Sequence, residues 1–165
     1  MTLRIFTDGA CSKNPGPGGW ACLFLLPEEA RLMSSGVNHT TNNRMELLAV
    51  LRAMQLYIDE FCWMDIDKIE IYSDSAYVVN SINLGWVARW EKYSWFARKG
   101  QLVRNVDLWR KFSSCMKKID WLETKIEFYK VAGHAGIEFN EIVDKAARGE
   151  VDKILADKSK NKGDK

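Results

Sequence analysis

Six residues near the start of the chain, Asn14-Pro15-Gly16-Pro17-Gly18-Gly19, separate two runs of β-forming residues. Proline fixes φ and glycine admits φ above zero, so this stretch turns the chain instead of extending a helix through it. The run before it, residues 3–11, is rich in strand formers. The run after it, residues 20–26, reads as a buried strand stopped by Pro27. Two such strands can pair antiparallel, and a weaker third strand is expected over residues 31–37.

After a polar loop over residues 38–42 the periodicity changes. Asn43 opens a helix in which Leu47, Val50, Leu51, Met54, Tyr57 and Ile58 recur at helical spacing, giving one apolar stripe. A short strand over residues 68–73 leads to a helix beginning near Ser75. Leu108, Trp109, Phe112, Cys115, Met116 and Ile119 mark another amphipathic helix. A strand over residues 125–131, a glycine-containing loop over residues 132–139 and a last helix capped near Asn140 complete the order. Three strands followed by alternating helices and strands describe an α/β domain with helices packed on a mixed sheet. The chain is 165 residues long, which fits one domain. Apolar residues stop after Ala156, so we expect the domain to span residues 1–156, with a disordered charged tail over 157–165.

Four acids occupy positions where acids are awkward. Asp8 lies inside an apolar strand and Asp74 ends another. Glu46 sits in the first turn of the long helix, and Asp144 lies among Ile142, Val143, Ala146 and Ala147. Each has an ordinary explanation. Asp8-Gly9 suits a hairpin turn. Asn43 to Glu46 has capping-box spacing. Asp74 suits a helix N-cap, and Asp144 can pair with Arg148. Together they point to clustered carboxylates at the edge where open α/β sheets place their sites. Such a cluster resists ionisation unless a cation joins it. Hard oxygen ligands suit Mg²⁺ or Mn²⁺, and four carboxylates can hold two such ions for phosphodiester displacement. His39 reads as solvated. His134 lies in Val131-Ala132-Gly133-His134-Ala135-Gly136 with acids following, which is consistent with proton handling or with an idle loop histidine.

The remaining classes thin out quickly. Cys11, Cys22, Cys62 and Cys115 form no CxxC pair and no zinc spacing with histidine, so four free thiols in a reducing cytosol are expected, although Cys11 and Cys22 can face each other on neighbouring strands. No Walker-type glycine loop is present. No apolar stretch approaches the ~18–20 residues of a membrane span, and no leader is visible, so a cytoplasmic protein without a membrane partner is expected. The net charge of +2 decides nothing about nucleic acid, and charge must be read locally.

At this point the motifs accumulate. Phe6-Thr7-Asp8-Gly9-Ala10-Cys11, the Asn14 to Gly19 turn, Thr40-Thr41-Asn42-Asn43-Arg44-Met45-Glu46-Leu47, Ser73-Asp74-Ser75, Asn105-Val106-Asp107-Leu108-Trp109, and Val131-Ala132-Gly133-His134 through Asn140-Glu141 to Asp144 occur in this order. The chain resembles type 1 ribonuclease H over residues 3–148. The resemblance implies a ribonuclease H-like fold: a five-stranded mixed sheet with helices on both faces. It implies an endonuclease that hydrolyses the RNA strand of an RNA–DNA hybrid by a two-metal-ion mechanism, leaving 5′-phosphate and 3′-hydroxyl ends. Asp8, Glu46, Asp74 and Asp144 would hold two Mg²⁺ ions, with Mn²⁺ able to substitute and Asp8 bridging both. His134 would assist proton transfer or product departure. A monomer is implied.

The same resemblance assigns substrate contacts. Asn14, Asn42 and Asn43 would meet 2′-hydroxyls of the RNA strand, and Thr41 and Asn140 would seat DNA phosphates; only the 2′-hydroxyl separates RNA from DNA at a given position. Residues 86–104 match the family's basic protrusion, with Arg89, Lys92, Arg98, Lys99 and Arg104 against Glu91, and Trp86, Trp90, Trp95 and Phe96 interleaved. A DNA-strand groove and an aromatic-cored helix pair with a solvated face both fit that pattern. Many bacterial relatives carry glutamine where this chain has Ala76, and its protrusion is less basic than some. Met1 directly before the first strand leads us to expect a free-standing enzyme without an N-terminal hybrid-binding domain, rather than part of a reverse transcriptase. A non-catalytic binding module would have lost a carboxylate, and all four are present.

Overall fold

The computed structural model describes residues 1–132 and 138–163. Three antiparallel strands come first: β1 (Thr2–Cys11), β2 (Gly16–Leu25) and β3 (Ala30–Thr40). Helix α1 (Asn42–Leu56) ends in a π-helical turn, Tyr57–Phe61. Strand β4 (Lys68–Ser73), α2 (Ala76–Asn83), α3 (Trp86–Lys92), a 3₁₀ turn (Arg98–Gly100), α4 (Val106–Trp121), β5 (Lys125–Lys130) and α5 (Glu138–Gly163) follow. The sheet order is β3-β2-β1-β4-β5, with β4 and β5 parallel to β1. This is the mixed sheet expected from the order of elements, with the five strands that the resemblance implies.

Alternation along β1 and β2 divides the core between the two faces. Leu3, Ile5, Cys22 and Phe24 join the large cluster that includes Leu47, Val50 and Met54 of α1 and Trp109 and Phe112 of α4. Phe6, Ala21 and Leu23 point the other way and meet Val143 and Ala147 of α5. Trp109 is fully buried and makes edge-on contacts with Trp90 and Phe112, ring centroids 5.7 Å and 5.4 Å apart.

Several boundaries differ from the sequence expectation. β2 begins at Gly16, not Trp20, because Gly18 and Gly19 pair with Cys11 and Ala10 in the ladder. A Cβ at Gly18 would come within 2.3 Å of Thr40 Cγ2, and one at Gly19 within 2.3 Å of the Ala147 carbonyl oxygen. These glycines serve close packing instead of a turn. β3 runs on to Thr40, which pairs with Gly16. The last helix begins at Glu138, so Asn140 lies in its first turn and is not its cap. Where composition led us to expect disorder from Asp157, α5 continues to Gly163. The stretch lacks proline and is rich in lysine, a good helix former that also suits a helix C-terminus.

All four cysteines are free thiols. Cys11 stands opposite Gly18 and Cys22 opposite Thr7, so the two do not face each other. Among the described residues no helix is long and apolar enough to cross a membrane.

Candidate active site

Three carboxylates converge because three elements end or begin at one edge of the sheet. Asp8 belongs to β1 and pairs with Ala21 across the ladder, so it is a strand residue and not a hairpin turn. β4 runs parallel beside β1 with Thr7 opposite Ser73, which brings Asp74, the next residue, out beside Asp8. Asp74 does not cap α2: Ser75 does, its side chain accepting from the Val78 N–H. Glu46 comes from the opposite side, on α1. Thr41 caps that helix by accepting from the Arg44 N–H at 3.3 Å, so Glu46 takes no part in a capping box. Gly9 lets α1 approach: a Cβ there would lie 2.4 Å from both the Glu46 nitrogen and the Met45 carbonyl carbon.

One carboxylate oxygen from each of Asp8, Glu46 and Asp74 lies within 4.8 Å of the others. Asp8 is 3% exposed and Glu46 5%. Burial, and after it the neighbouring Asp74 charge, raises the Asp8 carboxyl to about 7. Burial, then the charges of Asp8 and Asp74, holds Glu46 well above the usual carboxylate range. The Gly9 N–H donates to Asp8 Oδ1 at 2.9 Å. Glu46 Oε2 is buried with no hydrogen-bond partner among the described residues. Buried acceptors without donors are rare in native proteins, and like charges at this spacing call for a cation. The donor set is all hard oxygen, which fits a divalent metal of the Mg²⁺ or Mn²⁺ class.

Asp144, half-buried on α5, lines the same open cleft of about 540 Å³ but stands outside the close trio. Its Oδ1 forms an ion pair with Arg148, 3.0 Å from the Nε atom. The i,i+4 pair and the place at the site therefore hold together. Cys11, Ser12, Arg148, Val151, Asp152 and Leu155 also line the cleft. Val151, Asp152 and Leu155 escaped the reading of the sequence, although they follow Asp144 at helical spacing, and Arg148 was read only as its ion-pair partner.

The RNase H family profile matches residues 1–152. The chain belongs to the ribonuclease H family. It is similar to the ribonuclease H of Chlorobium chlorochromatii (strain CaD3), 42% identical over 151 residues that cover 92% of this chain and 96% of that protein. It is 38% identical over 144 residues to the ribonuclease H of Caldicellulosiruptor saccharolyticus, covering 87% and 92%. Among solved structures it resembles LC9-RNase H1, a type 1 RNase H with the type 2 active-site motif, at a TM-score of 0.74 and 23% identity over 92% of this chain and 72% of that one. LC11-RNase H1, solved in complex with an RNA/DNA hybrid, matches at a TM-score of 0.66 and 22% identity over 93% and 99%. Membership of the ribonuclease H family makes this chain a nuclease of the divalent-metal-dependent kind, and the acid cluster is in place for it.

Other residues expected to matter in a ribonuclease H occupy two regions. Beside the acids, Asn14 Oδ1 accepts from the Asn42 N–H at 3.0 Å, tying the first turn to the start of α1, where Asn42 and Asn43 are exposed. Arg44 anchors the same turn from behind, pairing with Asp107 at 2.7 Å and donating to Asn105 Oδ1 at 3.2 Å. Asn140 is buried, 3% exposed, and its Oδ1 has no partner among the described residues. His134 lies outside the described residues.

In the protrusion, Trp86, Arg89, Trp90 and Arg98 line one cleft with Tyr93 and Phe96. Lys92 and Lys99 are exposed but do not line it; Lys92 Nζ lies 5.9 Å from the Tyr93 ring centre. Tyr93 was not anticipated, though it falls within the aromatic and basic run. Trp90 also packs on Trp109, so the helix-pair reading and the groove reading both describe the same segment.

Proposed function

We propose that this chain hydrolyses the RNA strand of RNA–DNA hybrids endonucleolytically, leaving 5′-phosphate and 3′-hydroxyl ends. The observation that carries the reading is the trio of Asp8, Glu46 and Asp74 with a buried, unpartnered Glu46 oxygen. Relatives named ribonuclease H, matching nearly end to end, support the substrate. Asp8, Glu46 and Asp74, joined by Asp144 from across the cleft, would hold two Mg²⁺ ions, with Mn²⁺ able to replace them. Bound there, such ions supply charge stabilisation to the attacking and leaving oxygens of an in-line displacement.

The chain's own residues do the rest. The rigid strand and helix backbone fixes the acids before substrate arrives, so little reorganisation is needed during reaction. Asn14, Asn42 and Asn43 would offer short amides to 2′-hydroxyls in the shallow minor groove, selecting RNA on the strand to be cut. Thr41 would seat a DNA phosphate, and Asn140 is read as a further phosphate contact. His134 would carry a proton to or from the reacting centre. Arg89 and Arg98, with Trp86 and Trp90, would track the DNA backbone. Four free thiols are in keeping with a reducing cytoplasm.

The test is cleavage of end-labelled RNA–DNA hybrid against RNA–RNA duplex and single strands, with Mg²⁺ or EDTA. Internal cuts in the hybrid RNA alone, only with metal, and products open to ligation without kinase treatment are expected. Equal cleavage of RNA–RNA duplex would overturn the substrate assignment.

A further inference from the structure

The family profile ends at residue 152, but α5 continues to Gly163. The helix is held to the sheet for most of its length. A Cβ on Gly19 would meet the Ala147 carbonyl oxygen at 2.3 Å, one on Gly36 would meet Ile154 Cδ1 at 2.8 Å, and Ser34 Oγ donates to Glu150 Oε1 at 2.8 Å. Past Ile154 every described side chain is exposed. The extension is therefore an arm projecting from a fixed base.

Its direction and its charge are both informative. Arg148, Val151, Asp152 and Leu155 line the cleft that contains the four acids, so this face of α5 is a wall of the catalytic groove. At about 100° per residue, Lys158 and Lys162, three and seven residues beyond Leu155, continue the same face. Lys160 falls on the opposite side. From Leu155 to Lys162 the helix rises about 10 Å, and from Asp144 about 27 Å. Duplex nucleic acid carries a phosphate charge every ~1.7 Å of axis, so an arm of this length passes several.

We propose that Lys158 and Lys162 extend the substrate groove and bind backbone phosphates of the RNA–DNA hybrid away from the cut. The inference rests on the substrate reading above. Charge complementarity and continuity with the acid-lined cleft select the occupant. The competing role, open to Lys162, is stabilisation of the helix end by a cation in the last turn. Lys160 separates the two, because it shares the helix end but not the face.

Binding of a fluorescein-labelled RNA–DNA hybrid, with Ca²⁺ in place of Mg²⁺ so that it stays whole, measured by anisotropy across a salt series, tests this on the full chain. For Lys158→Ala with Lys162→Ala, the slope of log K against log salt should be shallower than wild type by about 1.8, at roughly 0.9 per phosphate contact. Affinity at low salt should fall several-fold. Lys160→Ala should leave the slope unchanged. Lys158→Gln with Lys162→Gln, which keeps helix propensity, should reproduce the alanine result. Equal slopes for wild type and the double variants, or an equal loss in Lys160→Ala, would overturn the proposal while leaving the substrate reading intact. Failure of the wild type itself to bind the hybrid would overturn both.

Discussion

Asp8 is a carboxyl held at about 7 by burial and by Asp74, against an ordinary value of 3.8. A carboxyl raised on folding favours the neutral form in the native state. The stability it contributes is complete below pH ~4 and is lost as pH rises through 7. Glu46, raised by burial and then by the charges of Asp8 and Asp74, acts in the same direction. In EDTA, Asp8→Asn should therefore melt above wild type at pH 7, and the gap should shrink toward pH 4. Mg²⁺ should raise the wild-type melting temperature at pH 7 and narrow the gap. A pH-independent gap would mean that the acids do not repel. His134→Ala is a residue-scale test of another kind. General acid–base help is worth about 10²–10⁴-fold, and the carboxylates survive the change, so kcat should fall near the lower end. A loss as complete as that from removing Asp8 would show a role beyond proton transfer. The convergence of Asp8, Glu46 and Asp74 was open to suspicion from the sequence because carboxylates at the ends of, or inside, apolar runs need a reason. The Arg148 pairing was legible from i,i+4 spacing, but its coexistence with a place at the cleft was not, since that depends on how α5 lies across the sheet.

At the scale of elements, the site depends on how closely α1 can approach β1. Gly9 sets that distance, and it is a residue that local rules assign to a turn. Gly9→Ala would place a Cβ 2.4 Å from the backbone of both Met45 and Glu46, so α1 must shift. Overpacking of this kind typically costs about 1–3 kcal/mol. Because the shift moves Glu46 away from Asp8, Mg²⁺ binding by calorimetry should weaken more than thermal stability alone would suggest. An unchanged Mg²⁺ affinity would show that this contact does not position the trio. Strand order and helix periodicity were readable in the chain because alternation and 3.6-residue spacing are local signals. The extent of β2 and β3 was not. Gly16, Gly18 and Gly19 look like turn residues by propensity, yet ladder pairing and packing against Thr40 and Ala147 keep them in a strand. The α5 extension was misread for the converse reason: exposed polar composition resembles disorder, while lysine-rich, proline-free sequence can carry on an established helix.

For the whole molecule, the acid cluster and the aromatic, basic protrusion built on α3 and the 3₁₀ turn line separate clefts, so the proposed reading separates catalysis from substrate grip. Replacing Arg89, Lys92, Arg98 and Lys99 together by alanine should raise KM, most at low salt, and leave kcat at saturation within several-fold. If all four touch phosphate, the salt slope should fall by about 3 or more; if only the cleft-lining Arg89 and Arg98 do, by about 1.8. An unchanged slope would return the segment to a solvated helix pair. The claim on which the rest depends is that the buried carboxylate trio is the metal-dependent catalytic centre. Its most direct measurement is hybrid cleavage by Asp8→Asn beside wild type at saturating Mg²⁺, with folding of both checked by circular dichroism. We expect a folded variant with no detectable cleavage, and near-normal Mg²⁺-dependent turnover by that variant would contradict the assignment.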